Sequence, residues 1–232
     1  MGVRQVSKSS IAQGILKGSK AWDQSSSTAF AAELLIVGGG GGGGANTCYA
    51  GGGAGGQTRD LSITIGLAQT FSMVIGSGGG IQTSGNPSTA FGYTANGGGG
   101  GSGLSGGTSG NGYGGGGGAF CSGCCAAGGG GGGATGGGGG AAGCSSHGGG
   151  GSGFNWKSLG TVYASGGRGM NNCTGSSDVA ANSGNGANGY AGGGSGIVIV
   201  RYLGSAKATG GTITSAGGYT YHTFTSNGDL VT

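Results

Sequence analysis

Two short spacings bring ligand-forming side chains together: Cys121-x2-Cys124, and Cys144-x2-His147 after an interval of residues 125–143. Thiolates and a neutral imidazole at such spacings suit a tetrahedral zinc ion, with ligand distances of roughly 2.0–2.3 Å. The same residues suit other chemistry. Cys48, Cys121, Cys124, Cys125, Cys144 and Cys173 form an even set, which permits disulfides whose connectivity cannot be deduced from sequence, and packed free thiols are a third reading. Cys125 directly beside Cys124 favours disulfides or free thiols over the metal. Between the two spacings lie glycine runs 128–133 and 136–140 joined at Ala134 and Thr135. An out-and-back path through them would return one pair of residues to the other under any of the three chemistries.

Catalysis finds little to work with. His147 and His222 are the only histidines, and the acids Asp23, Glu33, Asp60, Asp178 and Asp229 are scattered, with no paired carboxylates. A cysteine beside His147 would make a nucleophile and base, but the structural roles above explain the same residues more simply, so a non-enzyme with no catalytic residue and no cofactor other than a structural zinc is expected. No glycine run ends in GK[ST], and LKGSK at 16–20 lacks a strand-to-helix frame for a phosphate loop. RNA binding through glycine-rich sequence calls for several RGG units, and GGRGM around Arg168 is a single instance. The net charge of +4 is concentrated at the start, where Arg4, Lys8, Lys17 and Lys20 stand against Asp23. The body therefore carries no footprint for a phosphate backbone, and no nucleic-acid partner is expected.

Binding residues are sought where aromatic side chains interrupt glycine: Tyr113, Phe120, Phe154 and Trp156, with Asn155 and Lys157 as polar neighbours. Rings beside amides suit sugar faces or protein receptors. Equally, such rings can close the ends of glycine segments where a side chain is needed.

These candidates sit in an unusual chain. Of 232 residues 73 are Gly and one is Pro, which excludes both an ordinary two-layer core and the collagen repeat. No stretch has signal-peptide character or the length of a membrane span, so neither is expected. Residues 1–30 are basic and Ser-rich and read as an attachment arm, and residues 31–232 read as one glycine-rich domain. Apolar alternation at Leu61, Ile63 and Ile65 and at Phe71, Met73 and Ile75 predicts a β-hairpin across GLAQT. Thr161–Tyr163 reads as a short strand, and 212–231 as a strand that completes the frame beside 34–37 or 197–200, with His222 a structural residue whose change to Ala is expected to be mild. Uninterrupted glycine can adopt the extended three-residue helix, whose N–H and C=O groups need partners from neighbouring segments.

AELLIVGGGGGGG, the glycine runs interspersed with Ala, Ser and Asn, GGGSGIVIVRY, and GGTITSAGGYTYHTFTSNGDLV resemble the glycine-rich domain of bacteriophage tail-fibre and adhesin proteins over about residues 31–232. The resemblance implies a bundle of polyglycine II helices framed by short β-strands, with almost no α-helix, displayed on a virion or other extracellular fibre. It also implies a homo-oligomer whose loops contact a host-surface glycan or protein, while residues 1–30, which match nothing in that pattern, would engage other virion proteins. Rival readings are a self-assembling extracellular filament subunit and an ice-binding protein.

Overall fold

The computed structural model describes residues 29–120, 126–143, 145–171 and 179–232. The strands in chain order are β1 (Phe30–Val37), β2 (Thr58–Ile65), β3 (Thr70–Met73), β4 (Ser88–Ala90), β5 (Tyr93–Ala95), β6 (Ala119–Phe120), β7 (Ala126–Ala127), β8 (Phe154–Asn155), β9 (Val162–Tyr163), β10 (Ile197–Leu203), β11 (Thr212–Ala216), β12 (Tyr219–Phe224) and β13 (Gly228–Val231). Among the described residues there is no α-helix, and one 3-10 turn spans Trp156–Ser158.

The two aliphatic runs form the centre of the main sheet, ordered β11-β12-β10-β1-β2 and antiparallel throughout. Continuous apolar sequence marks a strand buried on both faces, and β1 and β10 are such strands. Leu34, Ile36, Val198 and Val200 face one cluster with Phe30, Tyr202, Ile65, Met73 and Leu230, while Leu35, Val37, Ile197 and Ile199 face another with Trp156 and Tyr163. The short strand expected at 161–163 is β9, paired with β8.

Three expectations are revised. β2 and β3 do not pair as a hairpin: β2 joins the main sheet beside β1, whereas β3 pairs with β13. The alternation was a sound guide to the buried faces, because Leu61, Ile63, Ile65, Phe71, Met73 and Ile75 all meet the same cluster, but an apolar face can be covered by a second layer as well as by a hairpin partner. The C-terminal stretch is three strands rather than one, and β12 pairs within the chain to β10, with Val198 opposite Phe224 and Val200 opposite His222. His222 is fully buried, its Nδ1 2.8 Å from Gly210 O and its Nε2 2.8 Å from Tyr202 Oη. His222→Ala is therefore expected to cost about 2–4 kcal/mol, contrary to the mild effect anticipated above, because it opens a cavity and leaves buried polar groups without partners; urea unfolding measures it.

Beyond the sheet, glycine segments bond to one another through the backbone with a recurrence of three residues. In 38–44, Gly38, Gly41 and Gly44 donate to Gln57, Ala54 and Gly51, Gly39 and Gly42 to Asn86 and Thr83, and Gly40 and Gly43 to Gly194 and Ala191. Its carbonyls accept from segments at 79–82, 98–101 and 187–190 in the same rotation. The run is thus surrounded by six segments, three antiparallel and three parallel. Segment 51–57 and run 128–133 repeat the arrangement, the latter donating in turn to 164–170, 104–107 and 136–139. The bonds define a three-row slab. Its middle row is 76–80, 38–44, 51–57, 128–134 and 136–141; one outer row is 83–86, 96–102, 104–110 and 113–117, and the other is 191–195, 184–190, 164–170 and 148–152.

Inside the slab glycine is required by approach, not by dihedral angle. None of residues 38–44 or 128–133 has a positive φ, yet a Cβ on Gly40, Gly41 or Gly42 would lie 2.0, 2.1 or 1.8 Å from a neighbouring carbonyl oxygen. Open space surrounds Gly114, Gly117 and Gly149 on the outside. Gly41→Ala is accordingly expected to cost about 3 kcal/mol or more, since only backbone can yield. Gly149→Ala should be neutral or stabilise by about 0.4–1 kcal/mol through the unfolded chain, and thermal denaturation of the two variants checks both.

Candidate functional site

The slab's segments run in both directions, so its connections divide between two ends. One end is the β frame, into which 51–57, 83–86 and 191–195 run. At the far end lie the loops 45–50, 81–82, 102–105 and Tyr190, together with the described residues that lead into 121–125, 144 and 172–178. Among the described residues Cys48 lies at this end, in the loop 45–50.

Cys48 is disulfide-bonded, and its loop is shaped by Asn46, whose Oδ1 accepts the N–H groups of Cys48 at 2.9 Å and Tyr49 at 3.3 Å. Cys121, Cys124 and Cys144 of the zinc reading lie outside the described residues, as do Cys125 and Cys173. The out-and-back path expected between them is present: Gly130 and Gly133 donate to Gly139 and Gly136 at 3.0 and 2.7 Å. His147 is half-buried, and its Nδ1 has no hydrogen-bond partner. No cluster of three or more His, Cys, Asp or Glu residues occurs among the described residues.

The aromatic candidates separate. Phe120, in the β6–β7 hairpin at the far end, is 77% exposed. Tyr113 is 43% exposed at the turn 109–113, which lies at the frame end. Phe154 is half-buried against the second apolar cluster, and Asn155 is exposed, its Oδ1 accepting Gly160 N–H at 3.2 Å.

No family model, curated protein or solved structure matches the chain.

Trp156 and Lys157 anchor the frame. The Trp156 ring is buried against Leu35, Val37, Ile197 and Ile199, and its Nε1 donates to Asp60 Oδ1 at 2.9 Å. Lys157 adopts a positive φ of 50°, which aims Nζ back over the sheet, 3.3 Å from Glu33 Oε1 and 3.2 Å from Asp60 Oδ2. Arg201 closes the network through Nε to Glu33 Oε2, with its guanidinium 5.1 Å from the Trp156 ring centroid and 4.5 Å from that of Tyr219. Burial pulls the Lys157 pKa down, but the hydrogen bonds and charges of Asp60 and Glu33 outweigh it and the net shift is upward. Arg201 is likewise raised, burial being outweighed by Glu33 and Tyr221. A raised cation stabilises the fold below its ordinary pKa and loses that contribution as the pH climbs through the folded value, so the contribution of Lys157 and Arg201 is lost in strongly alkaline solution.

Sequence inspection singled out Trp156 and Lys157 but missed Glu33, Asp60 and Arg201, which stand on three different strands. The available signal was that each is a charged residue within an otherwise apolar or alternating strand. Trp156→Ala should destabilise the chain by about 3–5 kcal/mol, whereas Lys157→Ala should cost no more than about 1 kcal/mol because its ion pairs are partly exposed; chemical denaturation at neutral pH distinguishes them.

Proposed function

We propose that this chain is a non-enzymatic receptor-binding or structural protein of a bacteriophage virion, a tail-fibre or adhesin component whose slab is a bundle of polyglycine II helices. The observation that carries the reading is the three-residue recurrence of hydrogen bonds around 38–44, 51–57 and 128–133, which is the repeat of that helix. It is joined to the sequence motifs that resemble the tail-fibre domain: AELLIV and IVIVRY are adjacent strands, with Leu35 opposite Ile199, and both lead into glycine. The Cys48 disulfide supports an oxidising, extracellular setting.

In this reading the frame end faces the rest of the fibre, with residues 1–30 engaging other virion proteins, and the far-end loops meet a glycan or protein of the host surface. Phe120 contributes binding energy there, whereas Tyr113, at the opposite end, does not. Labelled protein applied to a panel of bacterial strains tests this. Adsorption to at least one strain is expected, reduced by about tenfold in Phe120→Ala, as for a buried aromatic anchor, and unchanged in Tyr113→Ala. Adsorption to no strain, or equal adsorption by Phe120→Ala, refutes it.

A filament-forming role is the second reading. It is favoured by Gly114, Gly117 and Gly149, which are glycine where nothing among the described residues would meet a Cβ. It requires the purified protein to polymerise without other components, which sedimentation measures.

A further inference from the structure

Because β2 and β3 belong to different sheets, a groove of about 670 Å³ opens between them. Ser62 and Thr64 of β2, Thr70 and Phe71 of β3, Phe91 of the β4–β5 turn and Tyr93 of β5 are among its walls. Among the described residues no charged side chain lines it. The third wall is held by an unusual backbone. Phe91 and Gly92 have φ of 51° and 77°, the left-handed pair of a two-residue hairpin turn, and a bulky residue is disfavoured in that conformation. Phe91 is held there by its ring, whose centroid is 4.5 Å from that of Phe71. The consequence is that Tyr93 stands outward at the rim, 41% exposed, beside Gly92, which has open space around it.

We propose that this groove binds a neutral saccharide of one or two rings. Its volume lies in the range of small-ligand sites, roughly 300–1,000 Å³. Each serine or threonine hydroxyl both donates and accepts, so the walls match sugar hydroxyls in either sense. Ser72 adds acceptor capacity, since its Oγ donates to Asp229 Oδ1 at 2.8 Å and keeps its lone pairs. The exposed ring of Tyr93 suits the C–H face of a pyranose. An acidic sugar finds no counter-ion on these walls, and an apolar ligand would leave the hydroxyls unpaired. Three converging walls enclose a compact ligand better than an added strand. The groove belongs to the frame end, so it stands or falls separately from host contact by the far-end loops.

Titration of the full chain by NMR with the methyl glycosides of glucose, galactose and mannose and with their disaccharides tests the site. Glucuronate and an uncharged serine–threonine peptide serve as comparison ligands. Amide shifts at Thr64, Thr70, Phe91 and Tyr93 are expected with at least one neutral sugar. Tyr93→Ala should weaken that binding about tenfold, as expected for loss of a ring contact, with Tyr93→Phe close to wild type and Phe120→Ala without effect. Thr70→Ala, an exposed change, should also weaken it. The proposal is overturned if no neutral sugar perturbs these residues, if Tyr93→Ala binds as the wild type does, or if glucuronate or the peptide is preferred.

Discussion

The fold depends on how closely two backbones can approach when neither carries a Cβ. Extended glycine segments make no internal hydrogen bonds, so every N–H and C=O must be matched by a neighbour or by water. In the middle row successive N–H groups point to different neighbours, and each returns to the same neighbour after three residues. Around 38–44 and 128–133 no direction is left free for a side chain, which is why both are glycine without interruption. In the outer rows one side faces solvent, and Ser, Asn, Thr, Leu and Arg appear there. Their side chains also complete the bonding: Asn185 and Asn188 accept the N–H groups of Ser165 and Arg168 through Oδ1, and Asn111 ties Thr58 to Ala134.

Uniform glycine cannot specify its own alignment, since a slip by three residues restores the same bonds. The sheet supplies the alignment. Val37 stands opposite both Thr58 and Ile197, and the same register continues past the strands, Gly38 donating to Gln57, Gly41 to Ala54 and Gly44 to Gly51 on one side, Gly40 to Gly194 and Gly43 to Ala191 on the other. Continuation is possible because the rise per residue of a strand, about 3.3 Å, is close to the roughly 3.1 Å of the extended helix proposed for the glycine segments. At the junction Ser88 is fully buried, donating to Val37 O at 2.7 Å and accepting Gly76 N–H at 2.9 Å. The apolar clusters on both faces of β1 and β10 thus fix a register that glycine only propagates.

This division explains what could be read from the sequence. The strands at 34–37 and 197–200, the alternating faces of β2 and β3, the short strand at Val162–Tyr163 and the return path from 128 to 140 were legible, because each is written in side-chain pattern or in the position of non-glycine residues. Pairing choices were not. Ile63 and Phe71 show which face is buried but not what covers it, and the partner of β3 turned out to be β13, 155 residues further along at the Met73–Gly228 pair. The candidate residues divided for a related reason. Tyr113 and Phe120 lie in similar glycine-rich sequence, yet one sits at a frame-end turn and the other at the far end, a distinction set by how many segments intervene and not by any local signal.

The charged network belongs to the same logic. Glycine segments give the frame few side chains to pack against, only Ala134 and Ala164 on the face of β1 and β10 that looks toward 153–163, so that connection supplies most of the cover. Trp156 supplies the bulk. The Asp60 carboxylate accepts its indole N–H, and the Arg201 guanidinium lies near its ring, so the indole is held by polar contacts at its edge as well as by apolar packing. Lys157 joins Asp60 of β2 to Glu33 of β1, and Glu33 in turn holds Arg201 of β10. Each exposed ion pair contributes little by itself. Together they tie three adjacent strands to one turn, and those strands carry the register on which every glycine segment of the slab depends.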